Sequence, residues 1–179
     1  IKAVSRPKFD NKKERYLSAK EAGRLVAACE KSCNPQLRPI VQLLLFTGAR
    51  KMELLLARWE HVDLDRKTWH IPDSKTGKAR YVPLSQPAID VIKALPKWDN
   101  CPWLIPNVET RKPFVSIKRA WMTARKEAGL PDPRIHDLRH SFASFAINAG
   151  TDLYAVGKVL GHADYQSTMR YSHLANDTL

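Results

Sequence analysis

Apolar residues between positions 18 and 59 recur at every third or fourth position, which is the spacing of one helix face. The stretch Ser18–Glu21 reads SAKE, a sequence typical of a capping box, and Leu25 and Cys29 follow at helical spacing. Two further apolar runs predict helices over Gln36–Phe46, with Pro39 indicating a start near that residue, and over Lys51–Trp59. We therefore expect this part of the chain to be helical.

A different pattern follows, in short runs where apolar and polar residues alternate. Residues 61–65 (HVDLD), 68–74 (TWHIPDS) and 79–85 (ARYVPLS) are bounded by turn residues and are typical of strands. The second and third runs flank KTGK at residues 75–78, a short glycine-containing link that predicts a β-hairpin. The pattern therefore predicts a small antiparallel sheet inserted after the third helix.

Helical spacing returns after the predicted sheet. A helix is expected over Pro87–Leu95, followed by a proline-rich loop at residues 96–113. The remaining predicted helices cover Val115–Ala128, His136–Asn148, Leu153–Leu160 and Tyr165–Tyr171. The predicted fold class is α+β, mainly α-helical, with a small three-stranded antiparallel sheet.

The composition favours an anionic partner. Lys and Arg number 30 against 18 Asp and Glu in 179 residues, which gives a formal charge of +12. Such an excess favours nucleic acid, with an anionic membrane as the weaker alternative. No apolar run approaches the roughly 18–20 residues of a membrane-spanning helix. The three cysteines lack metal-binding spacing, which predicts reduced thiols and a cytoplasmic protein.

The segment RIHDLRHSFAS, residues 134–144, contains several candidate functional residues close together. His136 and His140 lie one helix turn apart, as in the zinc motif HExxH, so a zinc hydrolase is one alternative. Against it, Asp137 is shorter than the glutamate of that motif, and Arg139 would place a fixed cation beside the metal. A phosphate suits His136 and Arg139 better, because a guanidinium offers a planar fork of donors.

Three other segments carry polar residues that we consider together with His136 and Arg139. TGARKMEL places Arg50 after a glycine turn at the head of a helix, with Glu53 one turn later. SKTGKARYVPL places Lys75 at the hairpin tip. LGHADYQSTMRYSH places His162 after a helix-stopping glycine and Tyr171 nine residues further on. In order, spacing and residue type, the set resembles the catalytic domain of the tyrosine recombinase or phage integrase family.

The resemblance implies a reaction at a DNA phosphodiester, and the residue types fit its chemistry. Attack on phosphorus adds negative charge to the non-bridging oxygens, which Arg50 and Arg139 are expected to stabilise. Tyr171 is the expected nucleophile, and its phenol, with a pKa near ~10, requires a proton acceptor. His136 is the expected acceptor. The product that the resemblance implies is a covalent 3′-phosphotyrosyl linkage.

Further residues complete the predicted site. Lys75 is the expected general acid for the leaving oxygen, with Lys78 and Arg80 as alternatives. His162 is expected to hydrogen-bond the phosphate, and Glu53 to orient buried polar groups. No cofactor and no metal is predicted.

Two neighbouring histidines receive no catalytic role in this scheme. We expect His140 to pack in the core or to bond a backbone carbonyl. For His173, two residues beyond Tyr171, the sequence predicts no function.

The motifs assign residues 18–173 to a tyrosine recombinase catalytic domain, 1–17 to a linker or arm, and 174–179 to a C-terminal tail. The resemblance implies a further amino-terminal helical domain, so we expect this chain to be part of a longer protein. The expected partner is double-stranded DNA, bound by a homo-tetramer on two DNA sites when the protein is full length. The isolated domain is expected to be monomeric and to bind no membrane.

The predicted function is site-specific DNA recombination, the integration or excision of a phage or other mobile element, by an enzyme that needs neither metal nor ATP. A resolvase of chromosome or plasmid dimers is the alternative within the same enzyme class. An inactive DNA-binding regulator is the alternative from another class, and the intact set of six site residues argues against it.

Overall fold

The structure, a computed structural model, describes residues 15–72, 79–162 and 166–176. Its longer helices are α1 (Ala19–Glu30), α2 (Leu37–Thr47), α4 (Gln86–Lys93), α5 (Lys118–Glu127), α6 (Asp137–Asn148) and α7 (Leu153–Leu160). Its short helices are α3 (Lys51–Leu55), α8 (Gln166–Met169), α9 (Ser172–Asn176) and a 3₁₀ turn at Trp59–His61. The strands are β1 (Val62–Asp63), β2 (Thr68–Ile71) and β3 (Arg80–Pro83). The mainly helical α+β fold is confirmed.

The strands form an antiparallel sheet in the order β1, β2, β3. Trp69 lies opposite Val82, and His70 lies opposite Tyr81. Trp69 and Val82 are buried whereas Tyr81 is exposed, so the sheet has one face toward the core. The three-stranded sheet is confirmed, and the predicted hairpin tip at residues 75–78 lies outside the described residues.

The third helix ends earlier than its apolar pattern predicts. The sequence favours a helix over Lys51–Trp59, but α3 stops at Leu55. The backbone N–H of Trp59 instead donates to the Pro102 carbonyl at 3.0 Å. Pairing with a segment more than 40 residues away therefore replaces the last helical turn, and periodicity within the chain does not reveal such a contact.

The helix predicted over Tyr165–Tyr171 is also different in the structure. It is divided into α8 and α9, and Tyr171 lies at the turn between them. The Tyr171 N–H donates to the Thr168 carbonyl at 3.0 Å, which closes a tight turn rather than a further α-helical turn. The division leaves Tyr171 buried.

The core is built around α2, which packs against α1, α3, α4 and α6. Ile40, Leu43 and Leu44 of α2 are almost completely buried. Burial of each such side chain contributes about 1.5–3 kcal/mol. Within the described residues, no helix combines the length and apolar composition that crossing a membrane requires.

A smaller apolar cluster lies among α6, α7 and α9. It consists of Ala143, Ile147, Val156, Leu160, Tyr171 and Leu174. Tyr16 packs on this cluster, and its hydroxyl lies 2.9 Å from His173 Nε2. The next residue, Leu17, donates its N–H to the Ser141 hydroxyl at 2.8 Å. The described end of the predicted arm is thus attached to α6 and α9, which contribute to the same apolar cluster as Tyr171.

Two glycines permit a close approach between the ends of α2 and α7. Gly48 and Gly161 end these helices in the left-handed conformation, with φ of 63° and 66°. A Cβ atom at Gly48 would lie 2.8 Å from Leu160 Cδ2 and against the Phe142 ring, and one at Gly161 would lie 2.7 Å from Arg80 Cδ. Only glycine fits at these two positions.

We expect Gly48→Ala to cost more than its backbone strain alone. Gly129 is the matched control, because it has a φ of 68° but nothing within 4 Å of an added Cβ atom. Gly129→Ala should therefore lose about 1–2 kcal/mol of unfolding free energy. Gly48→Ala should lose about 1–3 kcal/mol more, since Phe142 must move. Urea unfolding measures both losses, and equal values for the two variants would contradict the close approach.

Candidate active site

Arg139 lies on α6, and its guanidinium is buried between the ends of two other helices. Nη1 donates to the Gly48 carbonyl at 2.8 Å, and Nη2 donates to the Leu160 carbonyl at 2.6 Å. Carbonyls at helix C-termini lack intrahelical partners and carry partial negative charge, so a cation is favourable there. The two bonds fix the plane of the guanidinium, which bidentate recognition of a phosphate requires.

Glu53 on α3 accepts hydrogen bonds from two arginines. Arg80 donates to it from Nη1 at 3.0 Å and from Nη2 at 2.7 Å, and Arg50 donates from Nη1 at 2.8 Å. Burial opposes ionisation of Glu53, but these hydrogen bonds, the one from Arg80 first, outweigh it and lower the pKa of the carboxyl. Glu53 therefore orients both guanidinium groups.

Arg80 is thereby ruled out as the general acid. Its side chain is buried, it is paired with Glu53, and its Nε donates to the Val159 carbonyl at 2.9 Å. Lys75, the predicted acid, and Lys78, the other alternative, both lie outside the described residues. The assignment of Lys75 stays a prediction.

Tyr171 is buried, with 2% of its surface exposed, and its hydroxyl lies 2.6 Å from His140 Nδ1. Burial, followed by the proximity of His136 and Arg170, lowers the pKa of His140 to about 4. The imidazole is therefore neutral at pH 7, and Nδ1 can accept the phenolic proton in a hydrogen bond. The expectation that His140 is buried in the core is confirmed, and its Nδ1 contacts the Tyr171 hydroxyl rather than a backbone carbonyl.

His136 precedes α6 and is exposed. Its ring packs edge-on against His140, with ring centroids 5.0 Å apart. Partial desolvation, and then the charge of Arg139, lower the pKa of His136. The role of His136 as acceptor of the phenolic proton stays a prediction, while the histidine in contact with Tyr171 is His140.

His162 follows the glycine that ends α7. Its Nδ1 lies 2.8 Å from the Thr168 hydroxyl, and its backbone N–H donates to the Gly157 carbonyl at 3.1 Å. Burial lowers the pKa of His162 to about 4, and the charges of Arg139 and Arg50 add to the effect. The ring is therefore neutral at pH 7.

The side chains from these distant segments act on one another electrostatically. Burial lowers the pKa of Arg139 to about 10, and the charges of Arg50 and Arg80 act in the same direction. Arg139 also interacts with Tyr171. Hydrogen bonds place these groups in one site, because Arg80 and Arg139 donate to the carbonyls of the adjacent residues Val159 and Leu160, and Arg50 and Arg80 share Glu53. The guanidinium groups of Arg50, Arg80 and Arg139 lie near one another, and of these Arg50 and Arg80 pair with Glu53, so an anion would relieve the excess positive charge.

The structure thus brings together all the predicted site residues that it describes. They are Arg50, Glu53, His136, Arg139, His162 and Tyr171. Sequence reasoning missed His140 and Thr168 as partners of Tyr171 and His162. Their signals were weak, namely a second histidine one turn after His136 and a threonine three residues before Tyr171.

The zinc alternative receives no support from this geometry. It required His136 and His140 to share one metal, but His140 Nδ1 contacts Tyr171. In the part of the chain that the structure describes, no group of three His, Cys, Asp or Glu side chains is placed to hold a metal ion.

The low pKa values of His140 and His162 predict a loss of stability in acid. Both pKa values are about 4 in the folded chain against 6.5 for an unperturbed histidine, so the unfolded chain binds more protons between these limits. The unfolding free energy should therefore fall as the pH drops from about 6.5 towards 4. Urea unfolding at pH 7, 6 and 5 measures this slope. His140→Gln should reduce the slope, and an unchanged slope in that variant would contradict the assignment.

Comparisons with known proteins show which family the chain belongs to. The model of the Phage integrase family matches residues 15–177. The chain is 33% identical to the integrase of Salmonella phage P22, over 97% of this chain and 47% of that protein. It is 32% identical to the tyrosine recombinase XerD of Neisseria meningitidis, over 95% of this chain and 62% of that protein. The chain belongs to the phage integrase family.

A solved structure agrees with this assignment. The catalytic domain of bacteriophage HP1 integrase superposes with a TM-score of 0.74 and 29% identity, covering 91% of this chain and 89% of that domain. The predicted family resemblance is therefore confirmed. The chain spans only about half of the P22 integrase and 62% of the XerD protein.

Proposed function

We propose that this chain is the catalytic part of a site-specific DNA recombinase that cleaves and rejoins strands through Tyr171. The observation that carries the proposal is the buried phenol of Tyr171, bonded to His140 in a site that also contains Arg139 and Arg50. Membership of the phage integrase family supports the same reaction. The formal charge of +12 favours double-stranded DNA as the substrate.

In the proposed reaction the Tyr171 oxygen attacks the scissile phosphorus, and the bond from phosphorus to the 5′ oxygen breaks. Arg50 and Arg139 stabilise the charge that develops on the non-bridging oxygens, which is worth on the order of 3 kcal/mol for each donor group. His162 donates to a phosphate oxygen, and Lys75 protonates the departing 5′ oxygen. The 3′-phosphotyrosyl bond retains the energy of the phosphodiester, so a second 5′ hydroxyl can reverse the step without ATP.

The phenolic proton goes first to His140 in this proposal, since that ring is in contact with the hydroxyl. In the free protein the transfer is unfavourable, because burial lowers the pKa of His140 to about 4 and makes the imidazole a weak base. A phosphate bound between Arg50 and Arg139 would offset the positive charge that helps to keep this pKa low. Substrate binding would thereby strengthen the base where it is needed.

The experiment uses a pool of short nicked duplexes with randomised core sequences. When the enzyme cleaves a phosphodiester close to the nick, the short fragment that carries the free 5′ hydroxyl diffuses away, and the protein remains covalently attached to DNA. A denaturing gel should show a protein–DNA band with the wild type and none with Tyr171→Phe. A band that survives this substitution would remove Tyr171 as the nucleophile. DNA binding by the wild type without any covalent band would favour the inactive regulator.

The same gel distinguishes the zinc hydrolase. The proposal gives catalysis to side chains alone, so the yield of the covalent band should be the same with and without EDTA. Loss of the band in EDTA would contradict the metal-independent mechanism.

We also infer that the full-length protein acts as four copies on two DNA sites and that this chain alone is monomeric. Each copy supplies one tyrosine, so exchange of two duplexes requires four. Both a phage integrase and a XerD recombinase are among the relatives, so integration and dimer resolution share the proposed chemistry.

A further inference from the structure

Thr168 is a buried polar residue that contacts two members of the site. It lies on α8 with 2% of its surface exposed, and its hydroxyl is 2.8 Å from His162 Nδ1. Its backbone carbonyl accepts the N–H of Tyr171 at 3.0 Å. One residue therefore joins the side chain of His162 to the backbone of Tyr171.

Gly157 leaves room for the Thr168 side chain. A Cβ atom at Gly157 would lie 2.7 Å from the Thr168 hydroxyl and 3.1 Å from its methyl group. Glycine inside a helix is less stable than alanine by about 0.5–1 kcal/mol, and here it lies within α7. Glycine at position 157 offsets this loss of helix stability by letting Thr168 reach His162.

The chemistry of a neutral imidazole makes this contact important. A neutral histidine carries one ring proton, on either Nδ1 or Nε2, and the partner of one nitrogen decides which. His162 is neutral at pH 7 because burial and nearby arginines lower its pKa to about 4. If Nδ1 accepts a hydrogen bond, the proton must be on Nε2. The Nε2–H group is then the donor that a phosphate oxygen needs.

We propose that Thr168 is a positioning residue, which donates its hydroxyl proton to His162 Nδ1 and so holds His162 in the tautomer that donates from Nε2. Through its carbonyl the same residue sets the turn that places Tyr171. The contact of 2.8 Å between the Thr168 hydroxyl and His162 Nδ1 fits this tautomer, since a hydroxyl can donate as well as accept. Its purpose, to present an N–H group to the scissile phosphate, rests on the proposed function.

The test begins with the ring nitrogens of His162 in this chain at pH 7. Two-bond ¹H–¹⁵N correlation spectra distinguish the tautomers, and the His162 signals are identified by their loss in His162→Gln. We expect wild type and Thr168→Ser to show a proton on Nε2, and Thr168→Val to show a mixture. A proton on Nδ1 in the wild type would overturn the proposal, and this result needs no variant of Thr168 to fold.

Gly157→Ala provides a second perturbation that leaves the hydroxyl in the chain. The added methyl group should push Thr168 away from His162 and produce the same mixture of tautomers as Thr168→Val. An unchanged tautomer in both variants would contradict the proposed role.

Covalent adduct formation at saturating DNA supplies the functional readout. Thr168→Val should slow it about 10- to 100-fold without changing DNA affinity, and Thr168→Ser should restore most of the rate. Equal rates in Thr168→Val and wild type would overturn the positioning role. If Tyr171→Phe still forms the adduct, the proposed function fails, whereas the tautomer result is unaffected.

Discussion

Arg139→Lys should reduce the first-order rate of covalent adduct formation by about 10²–10³-fold at saturating DNA. The substitution keeps the positive charge, but one ammonium group cannot donate to the Gly48 and Leu160 carbonyls and also present a planar fork to a phosphate. The unfolding free energy should fall by about 2–4 kcal/mol, because the two buried carbonyls lose their partner. Single-turnover kinetics and urea unfolding measure the two effects.

Arg125→Lys is the matched control for this change. Arg125 also donates to a backbone carbonyl, that of Pro133 at 2.8 Å, but it has no part in the candidate site. We expect it to lose about 1 kcal/mol or less and to keep the wild-type rate. If Arg139→Lys also kept the wild-type rate and lost no more stability than Arg125→Lys, Arg139 would neither bind the phosphate nor stabilise the helix ends.

Glu53→Gln should destabilise the chain by about 3–5 kcal/mol, the usual result of removing one partner of a buried ion pair. The amide keeps the shape of the side chain, but it leaves Arg80 and Arg50 beside Arg139 with no carboxylate between them. Arg50 should also lose its orientation, so the adduct rate should fall with stability. Thermal and urea unfolding measure the first effect.

Glu60→Gln tests whether the loss depends on burial. Glu60 pairs with Arg58 at 3.1 Å, and the two side chains are 59% and 41% exposed, against 7% and 8% for Glu53 and Arg80. Such a pair contributes about 0–1 kcal/mol. A loss in Glu53→Gln no greater than that in Glu60→Gln would contradict the assignment of Glu53 as the counter-charge of the site.

Local patterns predicted the elements that local interactions stabilise. The capping box at Ser18 forms as expected, with the Glu21 N–H donating to its hydroxyl at 3.3 Å and its own N–H donating to the Glu21 carboxylate at 2.8 Å. The alternating runs predicted all three strands because one face of the sheet is buried. The end of α3 was not predictable, since it depends on pairing with Pro102.

Some of the candidate site was likewise predictable from local sequence, and some was not. Arg50, Arg139, His162 and Tyr171 were found because each lies in a motif with a distinctive spacing. The sequence did not reveal the partners of these residues, because the partners come from other helices and strands. His140 meets Tyr171 across 31 positions, and Arg80 meets Glu53 across 27. Only tertiary packing decides that His140 contacts the phenol and that Arg80 supports Glu53 rather than serving as an acid.

The central claim is that the phenol of Tyr171 becomes the covalent link to DNA. Trypsin cleavage after Arg170 releases residues 171–179. Of the five tyrosines in the chain, this peptide contains only Tyr171. Mass spectrometry of the nuclease-trimmed and trypsin-digested adduct should therefore find the nucleotide mass on this peptide, with fragmentation locating it on Tyr171. A nucleotide carried by any other residue, such as the exposed Tyr154, would contradict the account.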